Sequence, residues 1–276
     1  MNKGMKITAI IAASLIITGT AIFVVSGGIG NFKELFNEEP IQRIYNAKAT
    51  VSEITVDVVN AKIVVIPSNV DKVKITYDES YDKQYQLSVD DNVLKMDEDN
   101  SKYFFDFHWL FNIFNFDETL TIEVPKDGKL SAGSIVTVNG TVNIKGFDVK
   151  TLNVRTVNGK ITVEKIKTSD LNLNTVNGGI DFTEVNASAI KAETVNGSIL
   201  GANPIFKSVN LKTVNGSMSM TEVDGVPSDY NIKFNSVNGR LFVNDTDTAK
   251  DYNSGNSKDK SIIAESVNGR LTLNFK

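Results

Sequence analysis

One histidine, no cysteine and a scatter of carboxylates are what this 276-residue chain offers for chemistry. His108 has no second histidine and no thiol with which to share a metal ion, so it reads as a packed or capping imidazole. The absence of cysteine removes disulfides, thiolate catalysis and a lipidated N-terminal cysteine. Serine is plentiful, but no GxSxG, HExxH or phosphate-cradling glycine loop accompanies it. Asp97-Glu98-Asp99 and Asp245/Asp247 carry the oxygen ligands that Ca²⁺ takes. They match neither the EF-hand spacing nor the glycine-rich nonapeptide of calcium-binding β-rolls, and solvated loop charge accounts for them. Glu164, Glu184, Glu193 and Glu222 are the carboxylates from which a glycoside-cleaving pair would have to come. They do not form one strict column. The formal charge of −4 lacks the basic footprint of a general nucleic-acid binder. These residues lead us to expect no enzyme activity, no cofactor, no metal and no nucleic-acid partner.

The elements that would have to position any site are set by a repeat. Val-Asn-Gly occurs seven times, starting at Val138, Val157, Val176, Val195, Val214, Val237 and Val267, with steps of 19, 19, 19, 19, 23 and 30 residues. Its turn residues are Asn139-Gly140, Asn158-Gly159, Asn177-Gly178, Asn196-Gly197, Asn215-Gly216, Asn238-Gly239 and Asn268-Gly269. A fixed period near twenty residues marks a repeat architecture. Within Thr151 to Thr168, Leu152, Val154 and Thr156 alternate with polar residues before the turn, and Ile161 and Val163 do so after it. Period two means strands with one buried face. Asn and Gly tolerate positive φ, which leads us to expect a tight turn there. A Thr or Ser always precedes the tripeptide, so stacked hydroxyl and amide ladders are expected at one corner. Two architectures fit: a β-solenoid, in which each repeat is one coil paired with the coils above and below, or an array of hairpins, each closed by its own Asn-Gly. The constant step favours the solenoid, because stacked coils need equal lengths. The expected fold class is therefore all-β, a β-solenoid or β-helix-like stack of about 19-residue coils. Roughly nine coils at about 4.8 Å would give a rod near 40 Å long.

Residues 1–30 differ in kind. Lys3 and Lys6 precede an uncharged, mostly apolar run from Ile7 to Val25, long enough as a helix to span about 28 Å against a hydrocarbon core of about 30 Å. This reads as one N-terminal transmembrane helix. A cleaved signal remains open, because Ser26, Gly27 and Gly28 are small. The flanking charges keep the N-terminus in the cytoplasm and export the rest. Residues 31–47 read as a linker and 48–276 as an extracytoplasmic repeat domain. Its early part is irregular: Val59-Asn60-Ala61 looks like a decayed Val-Asn-Gly in an atypical first coil.

Tyr103 to Phe116 is the outlier, with eight aromatic residues in fourteen. Tyr103, Phe105, Phe107, Trp109 and Phe111 are candidate surface or membrane contacts, since such rings favour the membrane interface. The plainer and preferred reading of the stretch is a cap whose rings plug one end of the stack. Arg155, Lys160, Lys191 and Lys212 would line a polar outer ladder. Near the C-terminus, Asn244 to Lys260 is expected to leave the stack as a polar loop, and Leu271 to Phe275 to close it as a final strand.

ITVDVVNAKIVVIP, LTIEVPKD and the TVNG/SVNG series resemble a bacterial "putative adhesin" family with β-strand repeats, envelope proteins of unknown function related to autotransporter-adhesin head domains. The resemblance covers about Lys48 to Lys276. It implies a right-handed β-solenoid-like domain outside the membrane, with some relatives linked to envelope-stress signalling. It supplies no catalytic residues. The functional expectation is a non-enzymatic, single-pass, membrane-anchored binding module of the cell envelope whose partner is an envelope protein, peptide or cell-wall ligand. A polysaccharide-active β-helix enzyme and a purely structural spacer are the alternatives.

Overall fold

A computed structural model describes residues 41–79, 84–98, 119–248, 252–254 and 259–276. The expected anchor, the linker as far as Pro40 and the aromatic stretch 103–116 with His108 lie outside the described residues. Among the described residues, no helix is long and apolar enough to cross a membrane.

Among these residues the chain forms 23 strands, numbered in chain order. The irregular part gives β1 (Ile41–Asn46), β2 (Glu53–Val58), β3 (Lys62–Ser68), β4 (Lys74–Glu79), β5 (Tyr85–Asp90), β6 (Val93–Glu98) and β7 (Thr119–Pro125). The regular repeats give β8 (Lys129–Thr137), β9 (Val142–Lys145), β10 (Asp148–Arg155), β11 (Ile161–Glu164), β12 (Lys167–Asn174) and β13 (Ile180–Thr183). They continue as β14 (Asn186–Thr194), β15 (Ile199–Ala202), β16 (Ser208–Asn215) and β17 (Met218–Val223). A 3-10 turn at Pro227–Asp229 precedes β18 (Asn231–Ser236), β19 (Leu241–Val243), β20 (Thr246–Asp247), β21 (Tyr252–Ser254), β22 (Ser261–Asn268) and β23 (Leu271–Phe275).

Each repeat sends the strand before Val-Asn-Gly into one sheet and the strand after it into another. β10 pairs in parallel with β8 and β12, and β11 pairs in parallel with β9 and β13. The two strands flanking one Asn-Gly do not pair with each other, so the architecture is a stack of coils and not an array of hairpins. The sheets have orders β1-β4-β7-β3-β9-β11-β13-β15-β17-β23-β19-β20 and β21-β18-β22-β16-β14-β12-β10-β8-β2-β6-β5. Nine consecutive rungs contain a strand of each sheet, from β6/β7 to β18/β19. At about 4.8 Å per rung this makes a stack of about 40 Å.

Between the sheets lies one continuous core that follows the alternation. In one sheet Leu152, Leu171, Ile190, Val209, Ile262 and Ile232 fall in register. The next column alternates in size, with Leu173, Ala192, Leu211, Ala264 and Phe234 in succession. Across the core, Phe182 stands in register with Gly201, and a Cβ on that glycine would sit 2.5 Å from the phenyl ring. Large side chains thus take the room that small neighbours leave, which is how an interior reaches crystal-like density.

Spatial order departs from chain order at both ends. The first coil, β2/β3, lies between β6/β7 and β8/β9. The last coil, β22/β23, lies between β16/β17 and β18/β19. Leu271–Phe275 is therefore an interior strand, not the closing one. Asn244–Lys260 does not simply leave the stack, because β20 and β21 run antiparallel along the outermost rung. At the other end β4 and β5 run antiparallel to β7 and β6. β1, at the end of the segment read as a linker, pairs antiparallel with β4. Antiparallel ribbons of this kind break the run of parallel rungs where another chain would otherwise add on.

The expected positive φ at Asn-Gly is not found. Left-handed residues recur instead at Gly146, Lys165, Glu184, Asn203 and Glu222, with φ of 77°, 53°, 52°, 49° and 53°. They recur every nineteen residues at the opposite corner. A side chain in that conformation costs about 1–2 kcal/mol. Their amides continue the ladder, Lys165 N donating to Thr183 O and Glu184 N to Ala202 O. The Val-Asn-Gly glycine is required for a different reason, namely close approach. A Cβ on Gly159 would lie 1.8 Å from the carbonyl oxygen of Gly140, and one on Gly178 would lie 1.9 Å from that of Gly159. The same contact joins Gly140 to Ala61, Gly269 to Gly216, and Gly239 to Gly269. Ala61 takes the place of the corner glycine in the first coil, and its carbonyl receives Gly140 as each glycine carbonyl receives the next. Gly159→Ala should therefore lower the melting temperature by about 5–10 °C, from overpacking of about 1–3 kcal/mol. Ala61→Gly should cost no more than about 1 kcal/mol. Thermal melts of both variants check this, and a Gly159→Ala melt equal to wild type would refute the close approach.

Candidate binding surface

The seven Val-Asn-Gly corners stack into one seam. Its outer line is a ladder of side-chain amides. Asn139 Nδ2 donates to Asn60 Oδ1 at 2.7 Å, Asn158 to Asn139 at 2.7 Å, Asn177 to Asn158 at 2.8 Å, Asn196 to Asn177 at 3.0 Å and Asn215 to Asn196 at 3.0 Å. The ladder then follows space and not sequence: Asn268 donates to Asn215 and Asn238 to Asn268, both at 2.9 Å. Each amide between Asn60 and Asn238 spends a donor and an acceptor on its neighbours, so the row binds the stack to itself.

Inside the ladder the hydroxyls do the same. Thr156 Oγ1 donates to Gly140 O at 3.0 Å, Thr175 to Gly159 O at 3.0 Å, Thr194 to Gly178 O at 2.9 Å and Thr213 to Gly197 O at 3.2 Å. The acceptor is the carbonyl that forbids a Cβ on the next glycine. The ladders expected at this corner are thus present. The two rungs with serine differ: Ser236 Oγ and Ser266 Oγ are buried with no hydrogen-bond partner. Beside the amides runs a row of valines. Val138, Val195, Val237 and Val267 are exposed, Val237 at 61%.

The outer faces are polar and largely self-neutralised. Lys160 pairs with Asp181 at 2.5 Å, Lys191 with Glu193 at 3.1 Å and Lys212 with Glu265 at 3.0 Å. Lys145 and Glu164 pair at 2.9 Å on neighbouring rungs; the hydrogen bond holds the carboxyl below its ordinary value and the ammonium above. Glu184 faces Lys165 at 3.8 Å. Three of the four carboxylates considered for glycoside cleavage are thereby engaged with lysines, and they sit on different rungs. Glu98 accepts from the Val59 amide at 2.7 Å and Asp247 from Arg240 at 2.7 Å, so both acidic clusters contain structural partners. Among the described residues, no three His, Asp or Glu side chains come together to hold a metal ion.

Tyr103, Phe105, Phe107, Trp109 and Phe111 lie outside the described residues. Their attachment points do not. Glu98 ends β6 and Thr119 begins β7, in register with Lys62 after the Val59-Asn60-Ala61 corner. The aromatic segment is thus inserted where every other rung has its three-residue corner.

A second feature was hidden in the sequence. An open groove of about 540 Å³ crosses the beginnings of β8, β10, β12 and β14, and its rim carries Lys129, Lys150, Lys167 and Lys207. These lysines fall in two register columns on different rungs, so no single repeat position flags them.

The model of the Toastrack DUF4097 family matches residues 51–274, and this chain belongs to that family. Among solved structures, a putative adhesin from Parabacteroides merdae is 14% identical, with 87% of this chain and 98% of that chain covered and a TM-score of 0.46. A putative adhesin from Bacteroides fragilis is 18% identical over the same shares, with a TM-score of 0.45. A structure from Parabacteroides distasonis titled as a putative lipid binding protein is 15% identical over the same shares, with a TM-score of 0.44. No curated protein matches this chain.

The serine rungs provide a test of the seam. Ser266→Thr should place a hydroxyl as in the threonine rungs, within reach of the Gly216 carbonyl, and raise stability by about 0.5–1.5 kcal/mol. Urea denaturation measures it; a destabilised variant would show that the serine rungs are built differently.

Proposed function

We propose that this Toastrack chain is a non-enzymatic, membrane-anchored, extracytoplasmic binding module of the bacterial cell envelope, acting in adhesion or in the sensing of envelope stress. The observation that carries the reading is where the polar groups go. The recurring asparagines, threonines and glycines bond rung to rung, and many of the surface charges pair across rungs. Such residues build a scaffold. What remains for function is a stiff polar stack and whatever is mounted on it.

Mounted at one end is the aromatic insertion, in place of a corner that needs only three residues. Rings of this kind suit a membrane interface or an apolar peptide face. Lys3 and Lys6 ahead of the apolar run Ile7–Val25 support an anchor with the N-terminus in the cytoplasm and the repeats outside. In this arrangement the stack holds the aromatic segment at a fixed place in the envelope, and engagement there is the event to be reported or the contact to be made.

The experiment is to replace residues 99–118 by Val-Asn-Gly together with Ala61→Gly, so that the new corner meets a glycine as the other corners do, and to compare co-sedimentation of the two proteins with liposomes and with cell-wall preparations. The variant is expected to melt as wild type and to lose most of the bound fraction. Unchanged binding would remove the aromatic segment from the mechanism.

A further inference from the structure

The chain as a whole is acidic at −4, yet one face of it gathers positive charge. The groove across the beginnings of β8, β10, β12 and β14 is lined by Lys129, Lys150, Lys167 and Lys207 against a single carboxylate, Asp148. All four lysines are exposed. Six lysines elsewhere on the stack, Lys74, Lys145, Lys160, Lys165, Lys191 and Lys212, pair with acids on the next rung or beside them. Among the described residues, no ion pair engages these four.

Their spacing is set by the rungs. Lys129 and Lys167 share one register column, with Asp148 between them, and so stand about 10 Å apart along the stack. Lys150 and Lys207 occupy a second column, three rungs or about 14 Å apart, with Ser169 and Ser188 between them. The groove thus offers positive charge at intervals along its length, hydroxyl donors in the gaps, and an apolar floor that includes Ile205, 57% exposed. A small ligand would reach one or two of these lysines. An extended polymer with regularly placed anionic groups would reach all of them.

The lining contains lysine and no arginine. Arginine's planar fork fixes carboxylate or phosphate in one bidentate geometry, whereas an ammonium acts as a point charge on a rotatable stem and meets phosphate oxygens in many orientations. We infer that this groove binds a phosphodiester-linked anionic polymer laid along the stack, with Lys129, Lys150, Lys167 and Lys207 each meeting a phosphate. This names a ligand class for the binding module proposed above and rests on that reading. It rests on residues outside the aromatic segment, so the two fail separately.

The test uses the full-length chain in nonionic detergent and labelled poly(glycerol phosphate), read by fluorescence anisotropy. The variant K150A/K167A/K207A removes exposed side chains only, and K95A/K233A removes two exposed lysines outside the groove. Each lysine near an anionic partner is worth about fivefold, so the triple variant should bind on the order of 100-fold more weakly, at an unchanged melting temperature. K95A/K233A should bind as wild type, and wild-type affinity should fall steeply with salt. Equal binding by wild type and the triple variant would overturn the groove. Equal losses in both variants would reduce it to general charge. Equally tight binding of polygalacturonate would overturn the phosphodiester assignment. Lysine-dependent binding to phosphatidylglycerol vesicles without polymer binding would assign the face to a lipid surface instead.

Discussion

The contact on which the rest of the fold depends is a glycine Cα resting against the carbonyl oxygen of the glycine one rung below. No side chain fits there: a Cβ on Gly159, Gly178, Gly197 or Gly216 would lie within 1.9 Å of that oxygen. The approach lets the corner amides continue the backbone ladder from sheet to sheet, as when Asn158 N donates to Val138 O at 2.8 Å. It also brings the threonine hydroxyl within reach of the same oxygen and sets the asparagine amides at hydrogen-bonding distance. One tripeptide and the residue before it thus supply steric fit, a buried hydroxyl bond and an exposed amide bond in the same place. Since each is shared with a neighbour, no rung is stable alone, and the stack behaves as a one-dimensional chain of interfaces.

Identical corners have a consequence for order. A corner that fits any neighbour does not say which neighbour it meets, and the molecule uses that freedom at both ends. The first coil and the last are each one rung in from the end, and the chain passes outside them before or after. The lengthened steps of 23 and 30 residues are the path out to the terminal rung and back. Asn215 and Asn268, 53 residues apart, are ladder neighbours. The antiparallel strands then cover edges that a uniform solenoid would leave open to further growth.

Much of this was legible in the sequence. The alternation around Thr156 and Ile161 identified the buried columns, and the equal steps selected coils over hairpins. The glycine was misread, because Asn-Gly is a signal for positive φ and for close approach alike, and period alone does not separate them. The recurring left-handed positions fall on Lys165, Glu184 and Glu222 as well as Asn203, and lysine and glutamate give no warning. Stack order was illegible for the reason already given. The lysine groove was illegible because its members come from two columns and different rungs, which only the three-dimensional register joins.

The central claim is that corner-to-corner contact, and not chain order, decides which rungs are neighbours. Because the chain has no cysteine, engineered disulfides can read this directly. Lys212 and Glu265 are in register on adjacent strands, a separation that a disulfide spans, whereas Asn235 lies one rung beyond Glu265 and out of reach of Lys212. Oxidation of K212C/E265C in the folded protein should give a near-quantitative disulfide, and oxidation of K212C/N235C should give none. The opposite pattern would mean that the rungs stack in sequence order, and would contradict the account.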